Sequence, residues 1–279
     1  MEKIGVIGAG VMGRGVAQRL ASYGYKVELI DLSDAILNKA LKAIKTEISL
    51  YNLMNEKKKN KKAILENITT SIDYGCLKDV DLVIENITEK ISQKEKLYRE
   101  LSDVLKPECL VFANTSCISI TKLASCYTYH SNVIGVHFMN PVTQQHHAEV
   151  IRGMYSSEKT IRETISFLQN VQISCTVVED APGFVSNRLS HIFMNEAANV
   201  VMEGIATAEA VDELFTEAFH HEMGPLHTAD LIGIDTVVDS LDVLFESYHD
   251  PKYRCSILLR KMVDAGLLGR KTGQGFFKY

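Results

Sequence analysis

The six cysteines of this 279-residue chain include no C-x-x-C pair, so the sequence offers neither a zinc site nor a disulfide framework. They read as the reduced thiols of a cytoplasmic protein. No apolar run reaches the roughly 18 residues that a membrane-spanning helix requires. Met1 leads directly into an apolar strand, so no secretory leader is expected. Positive charge is not in excess either. Thirty Lys and Arg stand against 35 Asp and Glu, a net charge of −5 that argues against nucleic acid as the main partner. No internal repeat is present, and low complexity is confined to Glu56 and the five lysines within positions 57–62. That run reads as a solvated link between two helices or as a docking site for phosphates or an acidic partner.

What is present begins at residues 3–31. Ile4, Val6 and Ile7 make a short apolar strand, followed by Gly8-Ala9-Gly10-Val11-Met12-Gly13, an amphipathic run, and a second strand ending in Asp31. Gly8, Gly10 and Gly13 satisfy G-x-G-x-x-G where a strand turns into a helix. Such a turn presents the helix N-terminus to a pyrophosphate. Asp31 follows Gly13 by 18 residues, where a carboxylate accepts from the ribose hydroxyls of NAD and repels the 2′-phosphate of NADP.

Residues 33–51 carry apolar positions at helical spacing, with Ser33 or Asp34 as the N-cap. Strands are expected at 68–72, 81–87, 110–113, 133–136, around 147–151 and at 176–178, with helices at 89–105 and 158–170. Ligands of open α/β sheets sit beyond the carboxyl ends of strands. Asn114-Thr115-Ser116 and His137-Phe138-Met139-Asn140-Pro141 stand at such ends, and Glu149 alternates out of a short strand. Beyond Asp180-Ala181-Pro182-Gly183 the pattern is helical at 185–202, 208–219, 226–248 and 256–268. The expected fold is therefore α/β: a Rossmann-type NAD-binding domain over 1–182, then an all-α domain over 183–279.

These residues carry a family resemblance. Gly8-Ala9-Gly10-Val11-Met12-Gly13, Asn114-Thr115-Ser116, His137-Phe138-Met139-Asn140-Pro141 and Pro182-Gly183-Phe184-Val185-Ser186-Asn187-Arg188 are joined by Met223-Gly224-Pro225-Leu226 and Gly269-Arg270-Lys271-Thr272-Gly273-Gln274-Gly275-Phe276. With them the chain resembles the L-3-hydroxyacyl-CoA dehydrogenases, close to the bacterial 3-hydroxybutyryl-CoA type, over its whole length. The resemblance implies a catalytic His137 paired with Glu149 and assisted by Ser116 and Asn187. Beside the motif glycines Gly8, Gly10 and Gly13, it implies NAD contacts from Met12, Asp31, Ile87, Glu89, Lys94, Asn114 and Asn140, and a homodimer through the helical domain. No metal is expected, since the adjacent pairs His146-His147 and His220-His221 come with no third ligand at a suitable spacing. The chemistry agrees: oxidising a secondary alcohol needs a base for the hydroxyl proton, and imidazole suits that near neutrality.

Four stretches depart from the family pattern: Gln145-His146-His147-Ala148, Leu189-Ser190-His191-Ile192, His227-Thr228, and Lys90. Ser190 and His191 follow Asn187 by one helical turn, so they are candidate substrate contacts. With His146, His147 and His227 they raise the expectation of a short acyl group bearing extra oxygen. The carrier stays open between CoA and an acyl carrier protein, as in pathways that oxidise glyceryl units on such carriers. A non-catalytic NAD-binding protein on the same fold is a further reading. The related β-hydroxyacid dehydrogenases use a lysine on the first helix after the nucleotide domain, and no lysine lies between Lys159 and Lys252.

Overall fold

A computed structural model describes residues 2–279. The chain divides between Asp180 and Ala181 into two compact units. In order, the first contains β1 (Lys3–Ile7), α1 (Val11–Ser22), β2 (Lys26–Ile30), α2 (Asp34–Met54), α3 (Lys61–Glu66), β3 (Ile68–Ser71) and β4 (Leu82–Glu85). It continues through α4 (Ile91–Val104), β5 (Leu110–Ala113), α5 (Ile120–Ala124), β6 (Val133–Phe138), β7 (His147–Arg152), α6 (Glu158–Asn170) and β8 (Ser174–Glu179).

The eight strands form one sheet in the order β3-β2-β1-β4-β5-β6-β7-β8. All pairings are parallel except β6 with β7. Central strands are apolar on both faces because helices cover both sides: β4 and β5 are buried throughout. Strand order reverses between β1 and β4, which opens the crevice where a dinucleotide lies in such sheets. β6 runs two residues past its expected end, so His137 lies inside the strand.

The lysine run links α2 to α3 and folds back on α2. The Lys61 ammonium donates to Ser49 Oγ at 2.6 Å, the Lys59 amide donates to Asn52 Oδ1 at 2.7 Å, and the Lys59 ammonium lies 4.1 Å from the Tyr51 ring centre. Burial lowers the Lys59 pKa, and Arg19 adds to the effect.

The second unit holds α7 (Ser186–Met202), α8 (Ala208–Glu217), α9 (Pro225–Ile232), α10 (Ile234–Tyr248) and α11 (Ile257–Asp264). Its core gathers Met194, Leu226, Val237, Leu241 and Leu259, among others. The single helix expected over 226–248 is two. Gly233, at φ +106, cannot continue α9 and starts α10 instead. The last helix stops early, with Gly266 at φ +73 after it.

Candidate active site

At the carboxyl end of β1, Gly8 has φ +92, and a Cβ there would lie 2.5 Å from the Asn86 carbonyl oxygen. A Cβ on Gly13 would lie 1.7 Å from the Gly8 carbonyl oxygen. Neither position admits a side chain. Gly10 differs: a Cβ there would meet nothing within 4 Å, and Gly10 caps α1 without any side-chain acceptor. By contrast Ser33, Asn60, Ser119, Ser157, Thr207 and Ser256 cap α2, α3, α5, α6, α8 and α11 with their own side chains. Gly10 adds no side-chain oxygen to the first-turn amides of α1, as is also the case at the starts of α4, α7, α9 and α10. What suits α1 to an external acceptor is the open space beside Gly10, with half-buried Met12 next in line. Asp31 stands half-buried at the end of β2 and holds the turn by accepting from the Ala9 amide at 2.6 Å. This cradle fits the pyrophosphate and ribose of a dinucleotide.

Beyond β4 a charged layer supports the crevice. Lys94 is fully buried, and its ammonium donates to both Glu85 oxygens at 2.7 and 2.9 Å and to the Asn114 carbonyl at 3.1 Å. Burial raises the Glu85 pKa, while the Lys94 charge pulls against it. Glu85 also accepts from the Ile87 amide at 2.8 Å. Asn114 bridges neighbours, donating to Asn86 Oδ1 at 2.7 Å and accepting from the Phe138 amide at 3.3 Å. Glu89 is exposed; its Oε1 accepts from the Ser116 amide at 2.9 Å, the Cys117 amide at 3.2 Å and the Thr115 hydroxyl.

The chemical groups lie one strand further on. β6 and β7 run antiparallel in a register that sets His137 directly opposite Glu149. Directly opposed side chains share a face of the sheet. His137 Nδ1 and Glu149 Oε2 are 3.0 Å apart, both residues being buried. The carboxylate can only accept, so Nδ1 carries the proton and Nε2 of the neutral ring keeps its lone pair. Ser116 Oγ stands 3.2 Å from that Nε2. Serine, imidazole and carboxylate form one line able to exchange a proton at Nε2.

The family models for the 3-hydroxyacyl-CoA dehydrogenase NAD-binding domain and C-terminal domain match residues 3–181 and 183–279. The chain belongs to the 3-hydroxyacyl-CoA dehydrogenase family. It is 42% identical to a probable 3-hydroxybutyryl-CoA dehydrogenase of Deinococcus radiodurans, across 99% of this chain and 100% of that one. A 3-hydroxybutyryl-CoA dehydrogenase of Bradyrhizobium diazoefficiens is 40% identical, across 100% and 96%. The crystal structure of (S)-3-hydroxybutyryl-CoA dehydrogenase from Ralstonia eutropha superposes with a TM-score of 0.95 at 37% identity, covering 100% of this chain and 99% of that one. The protein is an NAD-dependent oxidoreductase acting on a CH–OH group.

The remaining expected residues of the dehydrogenase are placed as follows. Asn140 is exposed two residues past β6. Lys94 is enclosed beneath the crevice, so its tie to the cofactor region runs through Asn114 and Glu85. Asn187 lies in the first turn of α7 in the helical unit, and its carbonyl accepts from His191 Nδ1 at 2.8 Å. His191 is buried and Ser190 half-buried, its Oγ 3.3 Å from the same ring nitrogen. The other histidines behind the expectation of a polar acyl group have local partners. His147 sits between Ser174 and Thr176 at 2.8 and 3.0 Å, and His146 Nδ1 lies 3.3 Å from the Gln172 carbonyl. His227 pairs with Asp212 at 2.6 Å and stacks on Phe277. Each of these three rings thus has a hydrogen-bond partner within its own unit. Glu85, Thr115 and Asp180 escaped the sequence reading; an acid ending a wholly buried strand was the available signal for the first.

Proposed function

We propose that the enzyme interconverts a short L-3-hydroxyacyl-CoA, 3-hydroxybutyryl-CoA above all, with its 3-oxo form, using His137 as general base. The register that pairs His137 with Glu149 and brings Ser116 to Nε2 carries this reading. When bound, NAD supplies a nicotinamide ring that accepts the C3 hydride. His137 Nε2 takes the proton of the 3-hydroxyl, and Glu149 steadies the resulting imidazolium. Ser116 donates a hydrogen bond to the substrate oxygen as its charge changes, and the family resemblance assigns Asn187 an assisting role in the reaction. CoA is the carrier in the names of the relatives. The lysines at 57–62 suit its phosphates, and an acidic acyl carrier protein would find the same charge. Six free thiols suit a reducing cytoplasm. Among the described residues no helix is long and apolar enough to cross a membrane.

The test follows NADH formation with 3-hydroxybutyryl and glyceryl groups, each on CoA and on a carrier protein. The butyryl group on CoA should give the highest kcat/KM; a clear preference for a glyceryl or carrier-bound group would overturn the substrate assignment. His137→Gln should lower kcat by about 10²–10⁴-fold with NAD affinity retained. Glu149→Gln should be milder, since an amide still accepts from Nδ1 but cannot balance the imidazolium charge. Full activity in His137→Gln would refute the mechanism.

A further inference from the structure

The segment carrying Ser116 runs from Asn114, just past β5, to Ser119, the N-cap of α5. Glu89 holds its first half through Thr115, Ser116 and Cys117. Its second half closes on Asp180. One oxygen of that carboxylate accepts from the Ser119 hydroxyl at 2.8 Å and the Thr121 amide at 2.7 Å, and the other from the Ile120 amide at 3.2 Å. A helix of five residues has little stability of its own, so α5 depends on such outside acceptors for its first amides. Bonds to an ionised acceptor are stronger than neutral ones.

Asp180 is fixed in turn. Its amide donates to the Arg152 carbonyl at 3.0 Å, and Arg152 ends β7. The same strand carries Glu149, which sets the His137 ring. Both partners of the Ser116–His137 contact are therefore referenced to β7, the imidazole through Glu149 and the serine through Arg152, Asp180 and Ser119. We infer that Asp180 is a positioning residue for the reaction, holding Ser119 to Thr121 so that Ser116 Oγ stays within reach of His137 Nε2. The inference rests on Ser116 acting in the reaction as proposed above.

A double-mutant cycle tests it, with kcat, KM and NAD affinity measured for Asp180→Ala, Ser116→Ala and the pair, and thermal melting as a check on folding. Small displacements of catalytic groups cost up to about 100-fold. Asp180→Ala should lower kcat by roughly 10–100-fold and leave NAD affinity unchanged. Asp180→Asn keeps one oxygen acceptor and turns an NH2 towards a backbone N–H, so it should fall between Ala and wild type and serves if the alanine variant does not fold. In the Ser116→Ala background the Asp180 change should cost little more. If it costs the same factor there as in wild type, or costs nothing in wild type, the positioning role is overturned while Ser116 keeps its own. If Ser116→Ala is fully active, the role given to Ser116 falls, and the inference with it.

Discussion

The Asp31 carboxylate accepts from the Ala9 amide through one oxygen and from the Leu32 amide through the other at 2.7 Å. It thereby ties the glycine turn to the end of β2. Each oxygen has a second lone pair, directed to ribose hydroxyls in a nucleotide-binding crevice of this kind. The same negative charge would face a 2′-phosphate. Asp31→Ala removes the ribose acceptor and the turn's anchor together. Hydrogen bonds to a charged group contribute about 1.5–3 kcal/mol each. NAD dissociation measured by fluorescence should therefore weaken by roughly 10–100-fold, and the preference for NAD over NADP should shrink. Wild-type turnover with NADP equal to that with NAD would contradict the reading.

At the scale of elements, β4 and α4 are joined by a pair of charges that no water reaches. Lys94 and Glu85 are both fully buried, and each ion's cost of burial is offset mainly by the other, with the Asn114 carbonyl and the Ile87 amide adding one bond to each. Lys94→Met leaves the Glu85 carboxylate without its cation and the Asn114 carbonyl without its donor. Breaking such a pair costs about 3–5 kcal/mol. The variant should show a large fall in denaturant midpoint and weaker NAD binding, because the Asn114 carbonyl and the Glu89 carboxylate, whose Oε2 lies 3.5 Å from the Lys94 ammonium, lose their common partner. A midpoint within error of wild type would refute this account. The sheet around the pair was legible in the sequence because buried parallel strands are continuous apolar runs, and 82–84 and 110–113 are such runs, short and bounded by polar or turn residues. The candidate site was legible where chemistry needs rare residues at strand ends, as at Asn114, Ser116 and His137. Whatever depends on long-range pairing was not legible in the residues alone, and the His137–Glu149 pair came only through the family resemblance. Glu149 opposite His137 follows from strand register, and Asp180 reaches α5 across some 60 positions of sequence. The α9–α10 break hid because residues 226–248 keep helical periodicity across Gly233, whose backbone alone interrupts it.

For the whole molecule, the open question is what covers the apolar side chains of the helical unit. Part of this apolar surface is absorbed by its own core: Val237, Val238, Leu241 and Leu244 are buried. Of the exposed apolar side chains that remain, one group that includes aromatics lies around α8. Ile205 just before it, Leu214 on it and Phe219 just after it are 69%, 57% and 62% exposed. Phe219 stacks on Phe215 at 5.1 Å, and Phe215 meets Phe193 edge-on at 4.6 Å, which continues the patch onto α7. Clustered exposed aromatics mark interaction surfaces, and self-complementary contacts about a two-fold axis are the commonest way to cover them. The homodimer that the family resemblance implies is expected to use this face. Light scattering at micromolar concentration should give twice the 31.1 kDa chain mass. Leu214→Glu combined with Phe219→Asp would bury two unpaired charges in each copy's half of the contact, a cost of several kcal/mol that no small interface absorbs. That variant should run at the single-chain mass with its helical content intact. A wild-type particle of one chain would rule out the dimer, and an unchanged dimer in the variant would move the interface away from α8.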